Sequence, residues 1–226
     1  MRRLLFALVI GLGGTAILIS LGLWQVRRMD WKEGVLAEIE ARLAADPLAF
    51  DSLETLDPEA LRYQAVTVAG ATTGEELAVL SAVKGQGAGY RVIAAFETDD
   101  GRRIMLDRGF VPEGERRTER PAAGLVVTGN LMWPEDADAF TPPPDVAGRL
   151  WFARDVPSMA GALDTEPVLI VLREAEGPAQ GILPRPVDTS GIPNDHFGYA
   201  VTWFSLAVAW VGMTGFFLWR ISRRTS

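Results

Sequence analysis

The sequence of 226 residues contains no cysteine and one histidine, and these two counts exclude several classes of protein. Without cysteine there are no disulfides, thiolate zinc sites, iron–sulfur clusters or covalent C-x-x-C-H haem attachments. A single histidine rules out H-E-x-x-H zinc proteases and every site built from several histidines. Any chemistry that needs an imidazole must therefore use His196.

The common catalytic motifs are also missing. The glycine-rich stretch at 85–89 (GQGAG) lacks the G-x-G-x-x-G spacing, and there is no P-loop. Adjacent carboxylates at 75–76 and 99–100 fall at predicted turns, where we expect them to be solvated. Copper delivery would need cysteine or clusters of histidine and methionine. The sequence thus predicts a protein that is not an enzyme.

Charge is distributed unevenly along the chain. All 29 acidic residues lie between Asp30 and Asp195, whereas five of the 22 basic residues lie at the two ends. The middle therefore has 17 basic residues against 29 acidic ones, a net charge of −12. Basic ends around an acidic middle are typical of a membrane protein, and we expect no nucleic-acid partner.

Two uncharged apolar runs occupy residues 4–24 and 197–219. As helices, each spans about 30 Å, the thickness of a bilayer core. Arginines flank their outer ends, which predicts cytoplasmic termini and a periplasmic middle. No mitochondrial presequence precedes the first run, which favours a bacterial inner membrane. A cleaved signal peptide is the alternative for the first run, but its length favours a retained anchor.

The fold class predicted is α+β, in which a hairpin of two transmembrane helices brackets a mainly antiparallel β-rich extramembrane domain. The predicted boundaries are 1–25 for the N-terminus and first helix, 26–195 for the periplasmic domain, and 196–226 for the second helix and basic tail. Apolar spacing predicts a further helix over 31–43, after a short break from the first membrane helix.

The middle of the sequence alternates in the manner of strands. The segment Asp57-Pro58 predicts a capped helix start, and residues 158–163 predict a short helix. The clearest hairpin turns through Asp99-Asp100-Gly101. Proline-rich segments at 141–145 and 177–193 predict extended loops. The predicted strands are 63–69, 77–82, 90–97, 103–111, 125–132 and 167–174.

An aromatic face accompanies the single histidine. His196, Tyr199 and Trp203 follow helical spacing, so they share one face if the second membrane helix begins near Asp195. A neutral imidazole is a good axial ligand for haem iron, and a flat porphyrin would lie against the two rings. Trp24 lies at a similar depth on the first helix. Anchoring at the membrane interface explains the same residues without any ligand.

Arginines near this level offer partners for haem propionates. Arg27 is the candidate retained here, with Arg28 and Arg108 as alternatives, because a guanidinium matches the geometry of a carboxylate. Arg108-Gly109 also has a structural explanation, in which the glycine permits a close backbone approach. Glycines in the apolar runs predict close helix packing; these are Gly11, Gly13, Gly14, Gly212 and Gly215.

Three motif blocks carry a family resemblance. They are LGLWQVRRMDWK at 21–32, LDRGFVP at 106–112 and PNDHFGYAVTWF at 193–204. Together they resemble the surfeit locus protein 1 family of cytochrome c oxidase assembly factors, with this chain as a bacterial member. Phe110 stands where that family usually has tryptophan, and Asp195 where it often has asparagine.

The resemblance implies a role in oxidase assembly. It implies transient, non-covalent binding of haem a through His196 at the membrane surface, and help with inserting that haem into oxidase subunit I. The implied partners are the membrane, subunit I and haem a synthase. Two alternatives remain: a haem-free scaffold that stabilises subunit I, and a membrane-tethered binding module unrelated to the oxidase. The residues expected to contact haem are His196, Tyr199, Trp203, Trp24 and Arg27, with His196 on the metal.

Overall fold

The structure, a computed structural model, describes residues 2–225 and divides into two compact units. The first unit comprises residues 1–38 and 189–226, and the second comprises Ile39–Asp188. The predicted domain boundaries near residues 25 and 195 mark the ends of the apolar runs, where the membrane is expected to end. They stay a prediction.

Two long helices supply the first unit. Helix α1 covers Arg2–Ala44 and the C-terminal helix, α4, covers His196–Thr225. The predicted break before residue 31 is wrong, because α1 is continuous through it. Residues 25–30 contain neither glycine nor proline, so nothing there ends the helix.

Both helices are long and apolar enough to cross a membrane, over Leu5–Ala44 and His196–Arg223. Most of the large apolar side chains that the protein exposes lie on these two helices, for example Phe6, Leu12 and Val208. A soluble protein rarely exposes so much contiguous apolar surface, whereas lipid covers it without cost. These features are those of a membrane protein.

Glycines of α1 let the two helices approach closely. A Cβ added at Gly11 or Gly14 would collide with Thr214 or Trp210, and the indole Nε1 of Trp210 donates a hydrogen bond to the carbonyl of Gly11 (3.1 Å). Close packing is thereby confirmed for these two glycines. The prediction of close packing is wrong for the other three glycines, which have open space where a Cβ would be; they are Gly13, Gly212 and Gly215.

This difference predicts unequal effects of two neighbouring substitutions. Gly14→Leu should separate the helices and cost about 1–3 kcal/mol, because the added side chain has no room beside Trp210. Gly13→Leu, the matched control, meets nothing within 4 Å and should be neutral. Thermal unfolding of the full-length protein in detergent measures the difference between the two variants. Equal stabilities would contradict the packing described.

The second unit is β-rich, with short helices between strands. Helix α2 (Pro58–Leu61) begins after Asp57, whose side chain accepts the N–H of Glu59 (3.1 Å), as its predicted capping role requires. In chain order the strands and α-helices of the second unit are β1 (Leu48–Ala49), α2 (Pro58–Leu61), β2 (Ala65–Val83), β3 (Gly87–Thr98), β4 (Arg103–Pro112), β5 (Ala123–Met132), β6 (Leu150–Trp151), α3 (Val156–Leu163) and β7 (Leu169–Glu176).

Five of the strands close into a barrel, in the order β2-β3-β4-β7-β5 and back to β2. Within the closed ring only β4 and β7 run parallel; the other four pairings are antiparallel. Strands β1 and β6 add short parallel pairings to β2. The predicted fold class, α+β with a mainly antiparallel β-rich domain between two terminal helices, is confirmed.

Strand β2 is longer than predicted. The sequence predicts two strands, 63–69 and 77–82, but one strand runs from Ala65 to Val83. Its register with β3 shifts between Thr72 and Glu76, and Gly74 has φ +85° within the shift. The glycine therefore makes a bulge, which bends the strand without ending it.

Two apolar clusters cover both faces of the sheet. One includes Phe96, Leu106 and Ile170, which are almost fully buried. The other packs α3, through Met159 and Leu163, against the sheet, and both clusters take side chains from all five barrel strands. Alternating residues of each strand serve the two clusters, which holds β4 rigidly from both sides.

Candidate functional site

The single histidine is the first residue of α4. Asp195 immediately precedes the helix, and its carbonyl accepts the N–H of Tyr199 (3.3 Å). The imidazole Nδ1 of His196 lies 2.8 Å from the amide oxygen Oε1 of Gln25 on α1. Gln25 is only 8% exposed, so the histidine is tied to a buried polar group of the partner helix.

This hydrogen bond determines which ring nitrogen is free. The Gln25 oxygen can only accept, so Nδ1 of His196 carries the proton and donates it. In the neutral ring the lone pair is then on Nε2, which has no hydrogen-bond partner among residues 2–225. Histidines that bind metals are commonly oriented in this way by a hydrogen bond to the other nitrogen.

The aromatic candidates lie at the same end of the helices but are not all packed. Tyr199 is 57% exposed, Trp24 is 55% exposed, and Trp203 is half-buried. The packed face of α4 instead passes through small side chains, Ala200 and Ala207. The structure therefore brings His196 against α1 and leaves the rings of Tyr199 and Trp24 accessible.

The two arginines after Trp24 are both exposed. Arg28 stacks its guanidinium over the ring of Trp31, 4.0 Å from the centroid. Arg27 makes no hydrogen bond or ion pair within the described part of the chain, so its charge is available to an anionic group.

Gln25 is the residue that sequence reasoning missed. It stands within the first motif block, directly after Trp24, where the apolar run gives way to charged residues. Its spacing from Gly22 and Gly11 places it on the packed face of α1, and a lone polar residue on such a face usually has a specific partner. That signal points to His196, the one imidazole of the opposite helix.

The middle motif block, at 106–112, serves the fold of the β-unit. Asp107 is fully buried, accepts the Nε of Arg91 (2.6 Å) and accepts the N–H of Gly109 (3.1 Å). Arg108 is also buried and donates to the side-chain oxygen of Gln180 (2.6 Å) and the carbonyl of Pro178 (3.1 Å). Both of its terminal nitrogens hold the segment after β7, which removes Arg108 from consideration as a propionate partner.

The same block brings two backbones into contact. Gly109 has φ +120°, and a Cβ there would run into the carbonyl of Leu183. Phe110 and Leu183 exchange two backbone hydrogen bonds, of 2.8 and 2.9 Å. The close approach predicted for the glycine is thus present, and it fixes the proline-rich loop against β4.

No cluster of three or more histidine, aspartate or glutamate side chains able to hold a metal ion occurs within residues 2–225. A metal bound by this part of the chain through nitrogen would have one imidazole ligand, His196.

Comparison with known proteins gives matches that cover most of the chain, including the three motif blocks. A family model described as the SURF1 family matches residues 12–208. The chain belongs to the SURF1 family. It is 30% identical over 215 residues to a SURF1-like protein of Monosiga brevicollis, covering 87% of this chain and 82% of that protein.

Two vertebrate members of the SURF1 family are similar over comparable lengths. Surfeit locus protein 1 of Xenopus tropicalis is 30% identical over 212 residues, covering 84% of this chain and 68% of the frog protein. Surfeit locus protein 1 of Homo sapiens is 27% identical over 213 residues, covering 84% and 70%. The family resemblance of the motif blocks is confirmed. Membership supports a role in cytochrome c oxidase assembly and an association with the membrane.

Proposed function

We propose that this SURF1-family member binds haem a transiently and assists its insertion into subunit I of cytochrome c oxidase. The observation that carries the proposal is the hydrogen bond between Nδ1 of His196 and Oε1 of Gln25, which leaves Nε2 free. A neutral imidazole with a free Nε2 is the axial ligand that haem iron accepts in many proteins.

One axial bond suits a cargo that must be passed on. His196 is the only histidine of the chain, and no cysteine is present to bind haem covalently. The accessible rings of Tyr199 and Trp24, with Trp203 one turn deeper, offer apolar faces to the porphyrin. The unpartnered guanidinium of Arg27 offers a counter-charge to a propionate, and the isoprenoid tail of the haem enters lipid.

We place this site at the periplasmic surface of a bacterial inner membrane, with both termini in the cytoplasm. The support is the five terminal arginines and the position of His196 at the start of the second apolar helix. In this arrangement the protein receives haem a from haem a synthase and delivers it to subunit I. The chain acts as a carrier, and we assign it no catalytic residue.

The test is the haem content of the full-length protein purified in detergent from cells that make haem a. We expect the wild type to show a haem a spectrum and His196→Ala to lose most of it, because the iron then has no ligand from the chain. Gln25→Leu should retain part of the haem, since the ring keeps Nε2 but loses its orientation.

Asp195→Asn is the matched control, since it changes the adjacent exposed residue and leaves the imidazole intact. It should bind haem like the wild type. Unchanged haem content in His196→Ala would reject the ligand assignment. A wild type purified without haem, together with oxidase assembly that persists in His196→Ala, would favour the haem-free scaffold.

A further inference from the structure

A cleft of about 800 Å³ opens in the β-unit, within Ile39–Asp188. Strand β2 pairs with β5 as far as Thr72 and with β6 only from Ala78, so its intervening residues have neither neighbour on that side. The segment 116–122, which leads into β5, forms the opposite wall. The proposed haem site uses none of these residues.

Four arginines line the cleft, although the domain as a whole is strongly acidic. They are Arg116, Arg117, Arg120 and Arg149. Arg117 is exposed and has no hydrogen-bond or ion-pair partner within residues 2–225. Arg149 is exposed too and uses one terminal nitrogen on the backbone carbonyl of Glu76 (3.3 Å). Arg116 donates to the carbonyl of Gly148 (2.7 Å).

Two of the three carboxylates at the cleft are already paired with arginines. Glu75 is paired with Arg103, and Glu76 accepts from Arg120 (2.7 Å). Glu119 is the remaining acidic residue of the lining. Three guanidinium groups, those of Arg116, Arg117 and Arg149, therefore have no carboxylate partner within the described chain.

Two buried arginines, Arg120 and Arg108, add further positive charge beside the cleft. The side chain of Arg120 is only 2% exposed, and its Nε is buried without a hydrogen-bond partner. Arg108 lies near enough to interact with it electrostatically. Burial lowers the pKa of the Arg108 guanidinium, the charge of Glu76 raises it, and the charge of Arg120 lowers it further. The single carboxylate Glu76 thus compensates two buried cations.

We propose that this cleft binds an acidic peptide segment of a partner protein. Guanidinium groups bind carboxylates through two parallel hydrogen bonds, which makes arginine the preferred residue for such recognition. The volume lies in the range of about 300–1,000 Å³ that holds ligands of drug or short-peptide size, so a single inorganic anion would leave most of it empty.

The remaining lining fits the same ligand. Leu77, Ala78, Val92 and Val111 form an almost fully buried floor beneath the arginines. The accessible polar groups of the cleft are therefore mainly guanidinium groups, which match the carboxylates of an acidic segment. Elsewhere the net negative charge of the domain repels acidic segments, so the cleft is also where electrostatic steering would direct them.

The experiment uses the full-length protein in detergent and a fluorescein-labelled octapeptide of alternating aspartate and leucine, with binding followed by fluorescence anisotropy. We expect saturable binding that weakens with salt. Arg117→Gln should raise the Kd about fivefold, the typical effect of losing one partly exposed ion pair of about 1 kcal/mol. Arg185→Gln is the matched control, because it removes one exposed positive charge outside the cleft.

Each outcome decides between the proposal and its rivals. Binding that falls in Arg117→Gln and stays unchanged in Arg185→Gln and His196→Ala supports a peptide site independent of the haem site. Equal Kd values in the two arginine variants, or no binding at millimolar peptide, would overturn the proposal. Full displacement by equimolar citrate or inorganic phosphate would also overturn it, because the cleft would then be a site for small anions.

Discussion

Gly109→Ala is expected to destabilise the β-unit by about 3 kcal/mol. Two costs add at this position: alanine is strained at φ +120°, and its Cβ meets the carbonyl carbon of Leu183 at 2.8 Å. The obstacle is backbone, which is itself held by the hydrogen bonds between Phe110 and Leu183. Relief of the clash therefore requires the proline-rich loop to leave β4.

Gly101→Ala separates the two costs. Gly101 also has a positive φ, +88°, but nothing lies within 4 Å of an added Cβ. Its substitution should cost about 1 kcal/mol, the conformational part alone. Hydrogen exchange of the β3 and β4 amides in the full-length protein measures both free energies. Similar losses in the two variants would show that the close approach to Leu183 contributes little.

Asp107→Asn is expected to cost about 3 kcal/mol. The carboxylate of Asp107 is fully buried and pairs with the Nε of Arg91, whose side chain is only 16% exposed. Asparagine keeps the shape but removes the charge, so Arg91 is left partly buried without a counter-ion. Its amide must also present an oxygen to both Arg91 and the N–H of Gly109, as the two carboxylate oxygens do in the native protein.

Glu135→Gln provides the comparison on the surface. Glu135 lies 3.9 Å from Arg62 and its side chain is 91% exposed, so water already screens the pair. This substitution should change stability by less than about 0.5 kcal/mol. Urea dependence of hydrogen exchange in β4 distinguishes the two variants. A loss below 1 kcal/mol for Asp107→Asn would show that Arg91 finds another partner or reaches solvent.

Asp107 and Gly109 both belong to the motif block at 106–112, and the sequence of that block explains only part of its structural role. The hairpin of β3 and β4 was predictable because its turn residues and its apolar alternation are local signals. The ring of Phe110 is fully buried, so the aromatic residue of this motif packs in the core. The loop that contacts Gly109 is more than seventy residues away, and no local pattern connects the two.

The haem-site hypothesis was also only partly accessible from sequence. His196 stood out because it is the only histidine, and helical spacing associated it with Tyr199 and Trp203. Neither pattern identifies Gln25, because the hydrogen bond from His196 joins residues 171 positions apart on two helices. The free Nε2 on which the proposed haem binding depends is a consequence of that bond.

The sequence alone determined the two membrane helices, the β-rich domain between them, the family and the one available imidazole. These follow from apolar runs, charge at the chain ends, turn residues and motif blocks. Such features depend on neighbouring residues or on totals. The tertiary structure decided which of the named glycines face the other helix, that two predicted strands are one, which nitrogen of His196 is free, and that arginines converge on one cleft. Each of these depends on register and packing between distant segments, which periodicity does not encode.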